Sequence, residues 1–164
     1  MSEPSNVLYR IQRGLAGYVS YLAACEMNSA FSEYVLYEPI LRILTARGFV
    51  ATCEEPCPGY KPEGPGDKPR IDFKVTNKDL LFAIEVKWAK KRRLQVSRDI
   101  EKLRLFREHH VHSRSFLCVF GTERVIKNIE IIPAPGKEIR DLVLASFGVT
   151  RYGCRIYETG RSAR

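Results

Sequence analysis

Residues 71–88 constrain this chain more than any other stretch. Two short apolar runs, Ile71-Asp72-Phe73-Lys74-Val75 and Ala83-Ile84-Glu85-Val86-Lys87-Trp88, are separated by the polar turn Asn77-Lys78-Asp79. Side chains alternate between faces along a β-strand. The pattern therefore predicts strands over 71–76 and 80–88, with Ile71, Phe73 and Val75 on one face and Asp72 and Lys74 on the other. In the second run Ile84, Val86 and Trp88 share a face, while Ala83, Glu85 and Lys87 share the opposite one. If the two strands pair as a hairpin, Asp72, Glu85 and Lys87 converge on one surface. Two carboxylates beside one ammonium form a chemical arrangement, because oxygen ligands suit Mg²⁺ or Mn²⁺ and a lysine can attend a water or a phosphate.

The alternative is a solvated strand face, where Glu-x-Lys pairs are common. Against it, Leu80, Leu81, Phe82, Ile84, Val86 and Trp88 mark the second run as a buried central strand. Charges embedded in such a strand need partners or a metal. Trp88 alternates with Ile84 and Val86, which predicts a core residue in place of a base-stacking platform.

The flanks supply a mixed set of elements. Apolar residues at Val7, Leu8, Ile11, Leu15, Tyr18, Val19 and Leu22 predict an added N-terminal helix over about 5–27, a packing or dimerisation element. A second helix is expected over 30–47, closed by Gly48 and kinked or restarted at Pro39. Phe49 to Cys53 reads as a strand, and the Pro- and Gly-rich residues 55–70 as a long loop. Ser97 is placed to cap a helix running to about His110, with Asp99 and Glu101 in its first turn. Strands are expected over Arg114–Phe120, Val125–Ile132 and Arg151–Tyr157, and a helix over Gly136–Phe147.

At 164 residues, with no repeat or linker, the chain is expected to form a single domain over 1–164 with a sizeable core. No apolar run reaches membrane-spanning length, and the first residues lack a basic region followed by an apolar one, so a secretory signal is not expected. The five cysteines have no framework spacing, so reduced thiols and a cytoplasmic location are expected. Cys53 and Cys57 lack the second pair that a zinc site would need. The net charge of +8, carried more by arginine than by lysine, leans toward a nucleic-acid partner, since guanidinium groups grip phosphates in bidentate fashion. His109, His110 and His112 sit at a helix end, where imidazolium complements the dipole, and are discounted as a metal cluster.

The order helix, strand, strand with Asp72, strand with Glu85-x-Lys87, helix, strand resembles the PD-(D/E)xK nuclease superfamily over residues 30–120. That group includes many restriction endonucleases and Holliday-junction resolvases. Ile71 stands where the name-giving proline would be, Asp72 matches the motif aspartate, Glu85 the second acidic residue and Lys87 the lysine. The resemblance implies an α/β fold of restriction-endonuclease-like type, a mixed central sheet flanked by helices with core order αβββαβ. It implies a Mg²⁺- or Mn²⁺-dependent endonuclease, a hydrolase acting on phosphodiester bonds, with DNA as the expected substrate. Asp72, Glu85 and the Val86 carbonyl would hold the metal.

Many members also carry a glutamate on the helix before the first strand, and Glu33 and Glu38 are the candidates. Projected at about 100° per residue, Glu33 lies in line with the stripe Leu36, Tyr37, Ile40, Ile43 and Leu44, whereas Glu38 falls outside it. Glu33 is therefore the preferred fourth catalytic residue and a direct or water-mediated metal ligand. The stretch Glu33-x-x-Leu36-Tyr37-x-Pro39 also looks like a pattern found in some uncharacterised members. Lys90, Lys91, Arg92 and Arg93 directly follow the motif strand and are the expected phosphate contacts. Lys102 shares a helix face with Asp99 and could reach a phosphate near the site; the alternative is a surface Asp99–Lys102 pair. Duplex cutting needs two sites, so a homodimer formed through the first helix is open. The competing class is a catalytically silent nucleic-acid-binding module of the same fold within a larger complex.

Overall fold

Strands β2 (Arg70–Thr76) and β3 (Leu81–Ala89) form the expected hairpin in the computed structural model, which describes residues 4–60 and 68–160. Phe73 pairs with Ile84, Lys74 with Ala83, Val75 with Phe82 and Thr76 with Leu81. Asn77 makes the turn: its side-chain oxygen accepts the N–H groups of Asp79 and Leu80 at 3.1 and 3.0 Å.

Around this hairpin the chain is mixed α/β, with a mostly antiparallel sheet flanked by helices. β1 (Val50–Pro56) pairs antiparallel with β2, and β5 (Arg114–Thr122) runs parallel to β3. β9 (Tyr152–Thr159) pairs antiparallel with β5, and its outer edge takes β7 (Gly136–Glu138) and β8 (Val143–Ala145). The order across the sheet is β1-β2-β3-β5-β9-β7. The parallel β3–β5 step is bridged by β4 (Arg93–Gln95) and helix α3 (Ser97–His109). β4 pairs with β6 (Glu130–Ile132) outside the main sheet.

Helices α1 (Pro4–Ala24) and α2 (Tyr37–Thr45) contribute to the core on one face of the sheet, where Leu8, Ile11, Leu15, Ile40 and Leu44 meet Phe73, Phe82, Ile84 and Phe116. The other face packs Leu103 and Phe106 of α3 against Ala83, Leu117 and Val119. The apolar stripe of α1 is thus consumed within its own chain, and that stripe is not free to pair two copies. Among the described residues no helix is long and apolar enough to cross a membrane.

Several expectations are corrected. The 30–47 helix is broken up: short 3₁₀ turns at Asn28–Ala30 and Tyr34–Leu36 precede α2. Pro39 falls in the first turn of α2, where its missing N–H has no intrahelical partner to lose, so of the two expected outcomes it marks the restart of the helix at Tyr37 and not a kink. Ser97 is the first residue of α3 and not its cap; the preceding position is Val96, without a side-chain cap bond. β1 extends to Pro56, into the expected loop, because an edge strand tolerates proline; residues 61–67 of that loop lie outside the described residues. The Val125–Ile132 strand is a short helix α4 (Glu123–Ile126) followed by β6. The Gly136–Phe147 helix is replaced by β7 and β8. Its residues satisfy the open edge of β9, a tertiary demand that outweighs local propensity.

Candidate active site

The β2–β3 ladder stops at the Phe73–Ile84 pair. Beyond it the carboxylates of the motif take over the cross-strand bonding. Val86 N–H donates to Asp72 Oδ2 at 2.7 Å, and Asp72 N–H donates to Glu85 Oε1 at 3.3 Å. Strict alternation ends at the same place. Ile71 packs in the cluster with Leu103 and Cys57, while Phe73 and Val75 pack with the α1–α2 side. The expected common face for Ile71, Phe73 and Val75 is therefore corrected: the strand turns where Asp72 substitutes a side chain for a backbone partner.

Glu85 is fully buried, and its second oxygen receives Lys102 Nζ at 2.6 Å. Lys102 also donates to the Arg70 carbonyl at 2.9 Å and lies 3.4 Å from Asp99 Oδ1. The expected Asp99–Lys102 pair therefore forms, but with a side chain only 13% exposed it is not on the surface; α3 lies against β3, and the stem reaches inward to the carboxylates. Lys87 is held between Glu33 Oε2 and Asp99 Oδ1, each 3.4 Å away. Glu33 uses its other oxygen to accept Trp88 N–H at 3.1 Å. Glu38 instead pairs with Arg42 on the exposed side of α2.

Electrostatics follow from this packing. Burial raises the Glu85 pKa well above the carboxylate range, and the Asp72 charge adds to it, against the opposing pull of Lys102. Burial likewise raises Asp72, opposed by the bond from Val86 N–H, by the Tyr37 hydroxyl and by the two lysines. For Lys87, burial acts to lower the pKa, but Asp99, Glu33, Asp72 and Glu85 together raise it, so the ammonium stays charged. Lys102 behaves in the same way, with Glu85 and Asp99 outweighing burial. The structure thus brings together Asp72, Glu85, Lys87, Glu33 and Lys102.

Two members of the cluster escaped the sequence reading as site residues. Asp99 bridges both lysines. Tyr37 donates to Glu54 Oε1 at 2.8 Å, and its ring packs on Phe73 beside Asp72. The Glu33-x-x-Leu36-Tyr37 pattern carried a signal for Tyr37: Glu33 clamps β3, Leu36 anchors in the core, and Tyr37 clamps β1 and β2.

Beyond Lys87 the basic run shapes an open cleft of about 340 Å³ lined by Lys90, Lys91, Arg92, Arg124 and Val125. Arg124 comes from α4, where no sequence pattern pointed to it. Arg93 opens β4 and is exposed, but does not line the cleft. Trp88 packs on Phe31, Phe120 and Tyr152. Among the described residues no group of three or more His, Cys, Asp or Glu side chains is disposed to hold a metal ion, so any metal here would rest on the Asp72–Glu85 pair. No family model matches the chain, and no curated protein or solved structure matches it either.

Proposed function

We propose that the chain is a Mg²⁺- or Mn²⁺-dependent nuclease that hydrolyses phosphodiester bonds in DNA, built on a restriction-endonuclease-like core. The observation that carries this reading is the opened β2–β3 seam, where the half-buried Asp72 and the buried Glu85, both of raised pKa, accept cross-strand backbone N–H groups beside a charged lysine. The order α2, β1, β2, β3, β4, α3, β5, with β5 parallel to β3 and β4 outside the main sheet, supports this reading.

Asp72 and Glu85 would hold the metal. A strand residue's N–H and C=O project to the same side, so the Val86 carbonyl also faces the seam and would be the third donor. This set fits Mg²⁺, which takes one or two carboxylates and keeps water and substrate oxygens for the rest of its shell. When bound, the metal acidifies a water and stabilises charge on the phosphoryl oxygens. Lys87 would orient the attacking water or neutralise the developing negative charge. Glu33 acts through Lys87, because one oxygen is committed to the Trp88 N–H and the other to the ammonium. The Lys90–Arg92 run, with Arg124, holds flanking phosphates without reading sequence.

The test is Mg²⁺-dependent nicking of plasmid DNA by purified protein. Asp72→Ala and Lys87→Ala are expected to abolish it with unchanged far-UV circular dichroism. Full activity in either variant overturns the assignment, and a gel shift without cleavage by the native chain favours the binding-only class.

A further inference from the structure

Lys102 places an ammonium inside the carboxylate cluster. Nζ lies 2.6 Å from Glu85 Oε2, 2.9 Å from the Arg70 carbonyl oxygen and 3.4 Å from Asp99 Oδ1. Two carboxylate oxygens and one carbonyl oxygen around a single cation is oxygen-donor chemistry that a hard metal ion would also accept. The arrangement answers an electrostatic need. Glu85 is fully buried, and among the described residues its other oxygen has only the longer 3.3 Å bond from Asp72 N–H. An ionised carboxylate at such a place requires a compensating charge. Lys87 does not supply it by contact, since its ion pairs are with Glu33 and Asp99.

We propose that Lys102 is a built-in counter-cation of the Asp72–Glu85 pair, which a divalent ion must displace in order to bind. The inference rests on the metal-dependent reading above and adds a control to it: the metal affinity of the free chain is set by competition with its own lysine. An ammonium and a divalent cation cannot both sit against Glu85 Oε2, because their mutual repulsion at contact distance is large even in a high-dielectric medium. The lysine stem suits the exchange, being a flexible four-carbon chain with a compact head group that can leave without moving α3. Its departure breaks the contacts with Glu85, Asp99 and the Arg70 carbonyl, and a metal on Glu85 makes the first of these unnecessary.

The experiment follows melting temperature against Mg²⁺ concentration, without substrate and at one fixed pH, for the native chain, Lys102→Met and Lys102→Gln. Glutamine keeps a donor toward Glu85 without charge, so it carries the test if the methionine variant does not fold. The half-saturating Mg²⁺ concentration is expected to fall by about tenfold or more in both variants, as loss of a positive charge close to a divalent ion requires. A folded variant with an unchanged or higher Mg²⁺ requirement overturns the inference and leaves the nuclease reading standing, since a merely structural lysine lowers stability without moving that concentration. Absence of any Mg²⁺-induced rise in all three chains overturns the metal reading and this inference together.

Discussion

Asp72 and Val86 are joined across the β2–β3 seam by a side chain where a ladder would use backbone, with Val86 N–H donating to Asp72 Oδ2 at 2.7 Å. The substitution opens the seam, because a carboxylate stands between strands that further along pair directly. It also gives Asp72 two separable tasks, satisfying a buried amide and presenting negative charge. Asp72→Asn retains an oxygen acceptor for Val86 N–H and removes the charge. It is expected to keep a cooperative fold and to lower metal-dependent cleavage by about 10²-fold or more, as loss of a charged group acting on the transition state does. Asp72→Ala leaves Val86 N–H unpaired, at a cost of about 1–3 kcal/mol. Denaturant melts of the two variants beside plasmid nicking check both halves.

The same carboxylate sets a pH dependence. Burial raises the Asp72 pKa in the folded chain, so the folded state holds the proton more tightly than the unfolded state does. Such a group contributes stability below the unfolded carboxyl value, about pH 4, and that contribution is lost as pH rises through the folded value. Glu85 is shifted in the same direction. In metal-free buffer Asp72→Asn should therefore melt above the native chain at about pH 8, with the difference shrinking toward about pH 4. A variant that is less stable at the higher pH and equal at the lower would reverse the sign and remove the burial argument.

Glu33 separates structure from chemistry in a similar way. Its Oε1 accepts Trp88 N–H and its Oε2 holds Lys87. Glu33→Gln preserves an acceptor for Trp88 N–H and loses only the ion pair, so its stability should stay within about 1 kcal/mol of native. Glu33→Ala orphans that amide and should cost about 1–3 kcal/mol. Lys87→Ala removes the ammonium itself, with an expected loss of about 10²–10⁴-fold in kcat. If Glu33→Gln instead matches Lys87→Ala in activity, Glu33 touches the reacting groups directly.

How much of this site the sequence discloses depends on how local each contact is. Asp72, Glu85 and Lys87 were legible because alternation along two adjacent strands and a three-residue turn fix their relation within eighteen residues. Lys102 and Asp99 lie on the next helix, and their i,i+3 spacing fits a surface pair equally well; only the packing of α3 against β3 turns both inward. Glu33 was found through a helical projection, yet it precedes α2. Leu36, Ile40 and Leu44 still anchor this segment to the sheet, which brings Glu33 to β3. The 125–147 region was misread because its strands exist to satisfy edges supplied by β4 and β9, and no local pattern encodes a partner so distant.

The basic cleft makes a prediction about salt. Lys90, Lys91, Arg92 and Arg124 surround one opening, and none of them belongs to the Asp72–Glu85 cluster. Phosphate contacts contribute affinity through counterion release, with log K falling by about 0.9 per contact for each log unit of salt on duplex DNA. Replacing Lys91 and Arg124 together by Ala should weaken DNA binding and flatten the salt slope by about 1–2. The Mg²⁺-dependent rise in melting temperature should not change. Fluorescence anisotropy at several salt concentrations reads the slope, and an unaltered slope would remove the cleft from the DNA path.

Gly121 controls how closely β5 approaches β3 beside that cleft. It pairs with Ala89 at the C-terminal ends of the two parallel strands, and a Cβ added there would stand 2.8 Å from the Ala89 carbonyl oxygen. The neighbour is backbone, which cannot rotate away as a long side chain would. Gly121→Ala must therefore push the strand ends apart, an overpacking strain worth about 1–3 kcal/mol. The displacement would fall between Lys90 on one strand end and Arg124 just past the other, so the cations lining the cleft would shift relative to each other. The seam at Asp72 lies on the opposite side of β3, between β2 and β3. The expected variant is thus less stable and binds DNA more weakly, with its Mg²⁺ requirement unchanged. Chemical denaturation, anisotropy and Mg²⁺-dependent melting measured on the same preparation would separate these effects, and a stability equal to native would show that the strands do not approach as closely as described.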